Sequence, residues 1–188
     1  IFSVPFPDND PIRSYEPGSR DKAILKKRMQ ELKSQVLDIP IIIGGKEIRT
    51  GNTDTCVMPH KHSHILGNYH KAGKEEVNLA IEAALAARDA WAEMPWNERA
   101  AIFLKAAELL AGPYRARMNA ATMLAQSKNA MQAEIDAACE MIDFFKMNVS
   151  FMQQVYEDQP QSAEGIWNRM EYRALEGFVF VVSPFNFT

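Results

Sequence analysis

Hydrophobic residues recur every three or four positions over most of the chain, which is the spacing of a helix that packs on one side. After an extended, proline-rich lead from Pro5 to Pro17, this spacing predicts a first helix from about Asp21 to Val36. The helix that follows Ala72 is expected to bury an apolar face that ends at Trp91. In all, four further helices are predicted: about Lys74 to Trp91, from an N-cap at Asn97 to Gly112, from Pro113 onward, and about Ala130 to Tyr156.

Shorter apolar runs between the first two helices predict a hairpin. Ile39 to Ile43 and the pair Glu47-Ile48 flank Gly44-Gly45, and two adjacent glycines supply the positive φ angles that a tight connection needs. The stretch from Gly51 to Gly67 contains several residues that interrupt strands and helices. We therefore expect a loop there.

Near the carboxyl end the helical period gives way to alternation. Ile166 to Leu175 mixes apolar with charged positions and predicts an exposed strand. Phe178 to Val182 is apolar and predicts a buried strand, which runs into a turn that presents the amide of Asn186. Parallel pairing needs a crossover of at least about a dozen residues, so this strand cannot complete a sheet before Thr188. The sequence predicts an α/β fold with an incomplete sheet, as in the front part of a larger enzyme.

Charge and composition narrow the possible partners. A net charge of −3 gives no bulk attraction to phosphate backbones or anionic lipid, so no nucleic acid partner is expected. No apolar run approaches the roughly 20 residues that span a bilayer, so no membrane insertion is expected. The chain has 2 cysteines, too few for a disulfide scaffold, which suits a reducing compartment.

Two groups of polar residues are weak candidates for a site. Four histidines and a cysteine lie close together in the sequence: Cys56, His60, His62, His64 and His70. Imidazole and thiolate bind zinc, but Pro59 and its polar neighbours favour an irregular surface loop, and we expect no metal. Asp136, Glu140 and Asp143 share one side of the last predicted helix, an arrangement that is more often a solvated face.

Asn186 is a candidate of another kind. A primary amide donates two hydrogen bonds, and donors fixed at the end of a strand can stabilise an oxyanion in acyl or aldehyde chemistry. The alternative is an ordinary turn asparagine after Pro184, which the residues alone favour.

The segment Ser183-Pro-Phe-Asn-Phe-Thr188 resembles the stretch of the aldehyde dehydrogenase superfamily that carries its oxyanion-stabilising asparagine. Further stretches resemble one branch, the Δ1-pyrroline-5-carboxylate dehydrogenases: residues 80–88, 102–108, 132–138 and 142–145. The resemblance covers nearly the whole chain. It implies NAD-dependent oxidation of L-glutamate γ-semialdehyde to L-glutamate in proline catabolism.

The resemblance also implies a fold and a domain division. The fold would be the N-terminal part of the aldehyde dehydrogenase fold, a helix cluster plus the first strands of a Rossmann-like NAD-binding domain. Residues 1–158 would form the N-terminal part of that domain, 159–175 a projecting oligomerisation strand, and 176–188 the first core strand of its sheet.

Residue roles follow in the same way. Asn186 would stabilise the oxyanion, Glu140 and Phe187 would bind the substrate, and Ser183, Pro184 and Phe185 would contact NAD. In this family the nucleophilic cysteine and the general-base glutamate belong to sequence beyond Thr188. Cys56 and Cys139 do not match the nucleophile position, so the 188-residue chain alone is expected to be inactive.

By the same resemblance we expect a homo-oligomer, a dimer or a dimer-based assembly. The start of the chain is similar to the mature form of mitochondrial members, which implies the mitochondrial matrix, with the cytoplasm as the alternative. Another aldehyde dehydrogenase and a non-catalytic helical interaction module remain the alternative functions.

Overall fold

The structure, a computed structural model, describes residues 2–187. Ile1 and Thr188, the latter being the last residue of the segment that resembles aldehyde dehydrogenases, lie outside the described residues. The elements in chain order are α1 Arg20–Lys33, β1 Leu37–Ile39, β2 Ile41–Ile43, β3 Lys46–Ile48, β4 Thr53–Met58, β5 Lys61–His70, α2 Lys74–Glu93, α3 Trp96–Ala111, α4 Arg115–Gln126, α5 Ala130–Ala133 and α6 Glu140–Glu157. A π-helical turn, Glu134–Cys139, joins α5 to α6.

The predicted helices are present, with shifted ends. Helix α1 begins after the N-cap Ser19, whose hydroxyl accepts the Lys22 N–H at 3.3 Å. It ends at Lys33 rather than Val36, because the Ser34 hydroxyl donates to the carbonyl of Glu31 and closes the last turn. The predicted starts of α3 at Asn97 and of α4 at Pro113 each differ by two residues or fewer from the observed ones.

The predicted glycine hairpin is confirmed. Strands β2 and β3 pair antiparallel, and the turn residues Gly44 and Gly45 have φ angles of 56° and 77°. These angles are the ones that glycine adopts without steric cost.

The predicted loop from Gly51 to Gly67 is wrong. Strands β4 and β5 form an antiparallel hairpin there, and β1 pairs with β5 in parallel. Pro59 lies in the turn between β4 and β5, where it removes no ladder hydrogen bond. Gly67 lies within β5. A Cβ at this position would lie 2.9 Å from the carbonyl oxygen of Leu37 in the neighbouring strand, so the position needs a glycine. Its glycine reflects a close approach of two strands, not a break.

Two small clusters form the core. Ala107, Leu110, Ala138 and Ile142 join α3 to the π-helical turn and the start of α6, and the alanines allow close approach. Met58, Leu66 and Leu124 join the sheet to α4.

Helix α2 does not bury the predicted apolar face. None of its residues is buried, and Val77, Leu85 and Trp91 are each about half exposed. Trp91 lines an open depression together with Phe178 and Val179 of the carboxyl-terminal segment. The predicted amphipathic helix is therefore present, but residues 2–187 leave its apolar face partly exposed.

The segment that follows α6 is extended and exposed. Ala163 and Ile166 form an isolated bridge, but neither Ile166–Leu175 nor Phe178–Val182 forms a strand, contrary to the prediction. A strand exists only when a neighbour accepts and donates its ladder hydrogen bonds, and no described segment lies beside these two. The division of the chain into domains stays a prediction.

The proline-rich lead is fixed along α6 and the π-helical turn. The N–H groups of Val4 and Asp10 donate to side chains of Gln153 and Asp143, each at 2.7 Å, so the lead runs antiparallel to the helix. Within residues 2–187, no helix combines the length and apolar character needed to cross a membrane.

Candidate functional site

The turn that carries Asn186 is anchored on the link between α4 and α5. The Lys128 ammonium donates to the Asn186 carbonyl oxygen at 2.6 Å, and Gln126 Nε2 donates to the Phe187 carbonyl oxygen at 2.9 Å. The same ammonium lies 5.2 Å from the centroid of the Phe187 ring, a cation–π distance. Within the turn, the Phe187 N–H donates to the carbonyl of Pro184 at 3.4 Å. The predicted oxyanion residue is therefore held through its backbone.

The predicted cofactor and catalytic residues all lie on the open side of this turn. Ser183, Pro184, Phe185 and Asn186 are exposed, and the Phe185 side chain is 95% exposed. Phe187 is turned further inward, toward Lys128. This arrangement presents a polar amide and an aromatic ring next to each other on a fixed backbone.

The link below the turn is itself rigid. Ser127 adopts a left-handed conformation with φ of 56°, and its hydroxyl lies 2.7 Å from Nδ1 of His60. Asn129 caps α5 in a reciprocal pair with Gln132, each side chain accepting the other's backbone N–H at 2.9 Å. Lys128 stands between these two fixed residues.

Glu140 is the first residue of α6, directly after the π-helical turn. Its N–H donates to the carbonyl of Ile135, five residues back, which is the π-helical pattern. Glu140 lines an open groove of about 500 Å³ together with Asp10, Asp143 and Phe144. Such π-helical turns occur often at functional sites.

The three carboxylates predicted to share a solvated face, Asp136, Glu140 and Asp143, have different surroundings in the structure. Asp136 forms an ion pair with Lys128 at 2.8 Å, and Asp143 accepts hydrogen bonds from Asn9 and Asp10 of the lead. Glu140 lies between them on the groove. Asp136, four residues before Glu140, pairs with the same Lys128 that contacts the Asn186 turn.

Sequence reasoning missed a buried ionic cluster behind the groove. Arg115 and Glu134 form an ion pair that is almost completely removed from water. Glu134 also accepts hydrogen bonds from Tyr15 and Asn119, each at 2.7 Å, and from the N–H of Arg13 at 2.8 Å. The local sequence carries no signal for this burial, since Gln132 and Asp136 on either side of Glu134 are polar as well.

Burial and hydrogen bonding shift the pKa values in this cluster in a consistent direction. Burial alone would raise the pKa of Glu134, but the hydrogen bonds from Arg115, Tyr15 and Arg13 outweigh it, so the pKa lies below its ordinary value. Burial and the adjacent Glu134 carboxylate raise the pKa of Tyr15. The cluster is therefore a carboxylate held by neutral and cationic donors, and it ties the lead to the π-helical turn.

Neither cysteine has the surroundings of a nucleophile. Cys139 is buried, and burial, opposed in part by Arg115, raises the pKa of its thiol. A raised pKa leaves little thiolate, which is the reactive form. Cys56 is partly buried and packs against the apolar cluster beneath the sheet. Both environments agree with the expectation that the catalytic cysteine is a different residue.

The histidines lie on the β4–β5 hairpin and not in an irregular loop. His60 is in its turn and contacts Ser127, whereas His62, His64 and His70 belong to β5. The Nδ1 atom of His70 accepts the Gly51 N–H at 3.1 Å, and its Nε2 atom lies 3.2 Å from Asp38. Over residues 2–187, no three His, Cys, Asp or Glu side chains are grouped as metal ligands would be.

Comparison with known proteins decides which family has this arrangement. A model of the aldehyde dehydrogenase family matches residues 48–188, three quarters of the chain and the whole Asn186 turn. The chain belongs to the aldehyde dehydrogenase family. The superfamily resemblance of the Ser183–Thr188 segment is confirmed, and so is the fold class, the N-terminal portion of that fold with an incomplete sheet.

Similar proteins carry the name of one branch of this family. The chain is 51% identical over 189 residues to a Delta-1-pyrroline-5-carboxylate dehydrogenase of Agaricus bisporus, covering 100% of this chain and 35% of that relative. It is 42% identical over 187 residues to a mitochondrial Delta-1-pyrroline-5-carboxylate dehydrogenase of Dictyostelium discoideum, covering 99% of this chain and 34% of the relative. The chain thus spans about a third of the length of these relatives.

A solved structure extends the likeness to three dimensions. The Delta-pyrroline-5-carboxylate dehydrogenase of Mycobacterium tuberculosis bound with NAD is 46% identical, with a TM-score of 0.97 over 100% of this chain and 35% of that protein. The exposed segment after α6 is included in this match. It therefore follows the path of the corresponding segment in a protein about three times as long.

Proposed function

We propose that this chain forms the amino-terminal part of an NAD-dependent enzyme that oxidises L-glutamate γ-semialdehyde, the open form of Δ1-pyrroline-5-carboxylate, to L-glutamate. The proposal rests on one observation above the others. Lys128 anchors the Asn186 turn, and all of this chain is similar to enzymes named for this substrate.

The chain would contribute three groups to the chemistry. The Asn186 amide would donate a hydrogen bond to the aldehyde oxygen as it gains negative charge, a stabilisation of about 3–4 kcal/mol for comparable donors. The Glu140 carboxylate would accept hydrogen bonds from the α-ammonium of the substrate, a pairing that gains strength where water is partly excluded. The Phe187 ring would form an apolar wall beside the aldehyde.

The described residues could form one wall of an NAD site, but not the whole site. The segment Ser183 to Phe185 offers a hydroxyl, backbone carbonyls and a flat aromatic surface, all exposed. The sequence contains no G-x-G-x-x-G pattern of the kind that cradles a pyrophosphate. NAD supplies a hydride acceptor when bound, and these residues would orient it toward Asn186.

NADH formation by the protein expressed from its complete coding sequence tests the proposal. Δ1-pyrroline-5-carboxylate and a simple aliphatic aldehyde are compared at matched concentrations. A strong preference for the former is expected. Activity on the aliphatic aldehyde alone would favour another aldehyde dehydrogenase, and folded protein without activity on either would favour the non-catalytic helical interaction module.

We further propose a homo-oligomer, a dimer or a dimer-based assembly, associated through residues 159–175. Trp167 and Leu175 in this segment are each more than three quarters exposed, which is unusual for apolar side chains of this size. Sedimentation of the complete protein should give at least a dimer, and deleting residues 160–174 should return a monomer.

We propose the mitochondrial matrix as the location, with the cytoplasm as the alternative. Several relatives, including the one from Dictyostelium discoideum, carry the word mitochondrial in their names, and others do not. Imaging a fluorescent fusion of the complete coding sequence against a matrix marker distinguishes the two locations.

A further inference from the structure

Lys128 lies in the link between α4 and α5, next to the turn that carries Asn186. Its side chain is only 15% exposed, and its ammonium pairs with Asp136 at 2.8 Å while donating to the Asn186 carbonyl oxygen at 2.6 Å. We propose that Lys128, oriented by Asp136, is a positioning residue that fixes the Asn186 amide at the oxyanion site. This inference rests on the proposed function, which assigns that amide to the reacting oxygen.

The contact acts on the part of Asn186 that sets the direction of its side chain. A carbonyl oxygen held in place fixes the adjoining peptide plane, and with it the Cα–Cβ bond from which the amide extends. The same ammonium lies against the Phe187 ring, so one cation restrains two consecutive residues. Displacement of a catalytic group by about 1 Å can cost about 100-fold in rate, so a restraint at this point matters.

The support beneath Lys128 is stiff enough to transmit position. Ser127 before it has φ of 56°, a conformation that costs energy for a residue other than glycine. Asn129 after it is held in a capping box with Gln132. A strained backbone persists only where the surrounding structure holds it in place. Lys128 lies between the strained Ser127 and the capped Asn129, so its backbone position is fixed on both sides.

A surface ion pair would not have these properties. The Lys105–Glu108 pair has a similar distance, 2.8 Å, but its side chains are 59% and 69% exposed. Exposed pairs of that type contribute little. Lys128 differs because its third contact is a backbone carbonyl 58 residues away in sequence, on the turn that carries the proposed oxyanion residue.

The test uses the protein expressed from its complete coding sequence, with four variants. Lys128→Met keeps the length of the side chain and removes its charge, Lys128→Arg keeps the charge, and Asp136→Asn loosens the lysine. Lys105→Met is the matched control. Turnover and the KM for NAD are measured together with hydrogen–deuterium exchange of the peptide that covers residues 183–188.

We expect Lys128→Met to lower turnover by about 10- to 100-fold, in the range for a displaced catalytic group, with little change in the KM for NAD. Exchange in the 183–188 peptide should become faster. Lys128→Arg should restore most of the turnover, Asp136→Asn should cause a smaller loss than Lys128→Met, and Lys105→Met should match the wild type.

Wild-type turnover together with wild-type exchange in Lys128→Met would overturn the inference. Faster exchange with unchanged turnover would overturn the catalytic part of it, since the turn would be anchored without consequence. A wild-type protein that forms no NADH would instead overturn the proposed function. The anchoring would then be decided by exchange alone, supported by faster exchange in Lys128→Met and overturned by equal exchange.

Discussion

Single residues of this chain are positioned by contacts that are distant in sequence. Glu134 accepts the N–H of Arg13 across 121 residues, and Lys128 reaches the Asn186 carbonyl across 58. Asn186 lies in a turn and not in a helix or strand, so its position depends on such contacts. The function of each residue therefore depends on the packing of several elements, and single substitutions can separate binding from chemistry.

Replacing Asn186 should affect chemistry more than binding. Asn186→Ala removes the donor to the developing oxyanion, so turnover should fall by about 10²- to 10³-fold while the affinity for NAD changes little. Steady-state kinetics with both substrates varied measure the two effects. Asn148→Ala, at an exposed position of α6, is the control. Unchanged turnover in Asn186→Ala would remove this residue from the oxyanion site.

Replacing Glu140 should change which aldehydes are used. Glu140→Ala removes the carboxylate that would pair with the α-ammonium, so kcat/KM for glutamate semialdehyde should fall by about 10-fold or more, while simple aldehydes are little affected. Glu157→Ala, exposed at the far end of the same helix, is the control. Equal losses for both substrates would contradict the assignment.

The buried Glu134 carboxylate should make stability depend on pH. Because its folded-state pKa is lowered, its contribution is fully present above the ordinary value of 4.5 and is lost as the pH falls through the folded-state pKa. Glu134→Gln leaves Arg115 with one fewer charge partner and should destabilise by about 3–5 kcal/mol at neutral pH. The difference between wild type and variant should shrink below about pH 4.5.

Urea unfolding of the complete protein at several pH values measures this difference. Glu108→Gln, at an exposed position of α3, should stay within about 0.5 kcal/mol of the wild type throughout. A wild-type minus Glu134→Gln difference that did not change with pH would show that the lowered pKa does not contribute to stability.

At the scale of elements, the sheet depends on one position without a side chain. A Cβ at Gly67 would lie 2.9 Å from the Leu37 carbonyl oxygen and 3.2 Å from Ile39 Cδ1, so β1 and β5 would have to separate. Gly67→Ala should destabilise by about 1–3 kcal/mol, the usual cost of overpacking. Thermal unfolding measures it.

Gly73→Ala is the control for this strand prediction. The added methyl there would meet only the flexible end of the Glu76 side chain, at 3.3 Å. Equal melting temperatures for the two alanine variants would contradict the close approach of β1 to β5.

The elements also show how far sequence patterns reach. The Gly44-Gly45 turn is a local signal that predicted the observed structure. Helical periodicity over residues 130–156 predicted the helical span but not the π-helical turn Glu134–Cys139 that interrupts it. The β4–β5 hairpin was missed because Gly67 reads as a breaker when its neighbour Leu37 is unknown. The predicted strand Phe178–Val182 was not observed, because strand formation needs a partner that residues 2–187 do not provide.

Only part of the candidate site could be predicted from the sequence. Asn186 and Glu140 were candidates from their places at a predicted strand end and on a predicted helix face, and the family resemblance supplied the roles proposed for them. Lys128, Glu134 and Arg115 were missed, since a lysine in a link and charged residues among other polar residues carry no signal of burial. Their partners become visible only when the helices are packed.

For the whole molecule, the dominant feature is apolar surface without a covering layer. Phe180, Val181 and Val182 are each about three quarters exposed or more, and α2 presents a further apolar face. The chain spans about a third of the length of its relatives. Isolated apolar patches of this extent promote association.

The polypeptide of residues 1–188 alone should therefore differ from the product of the complete coding sequence. It should bind a hydrophobic dye more strongly per mole, and it should form no NADH with Δ1-pyrroline-5-carboxylate. Fluorescence titration and absorbance at the NADH band measure these properties. NADH formation by residues 1–188 alone would contradict the expectation that the nucleophile lies elsewhere.

The lead along α6 has a consequence for the order in which the chain is made. Its contacts with Asp143 and Gln153 close loops of 133 and 149 residues, so the lead leaves the ribosome well before the helix on which it packs. At a synthesis rate of about 5–20 residues per second, the lead waits roughly 7–30 s for its helix. During that time Phe2 and Phe6, both exposed even in the folded chain, are open to any chaperone that recognises extended apolar segments.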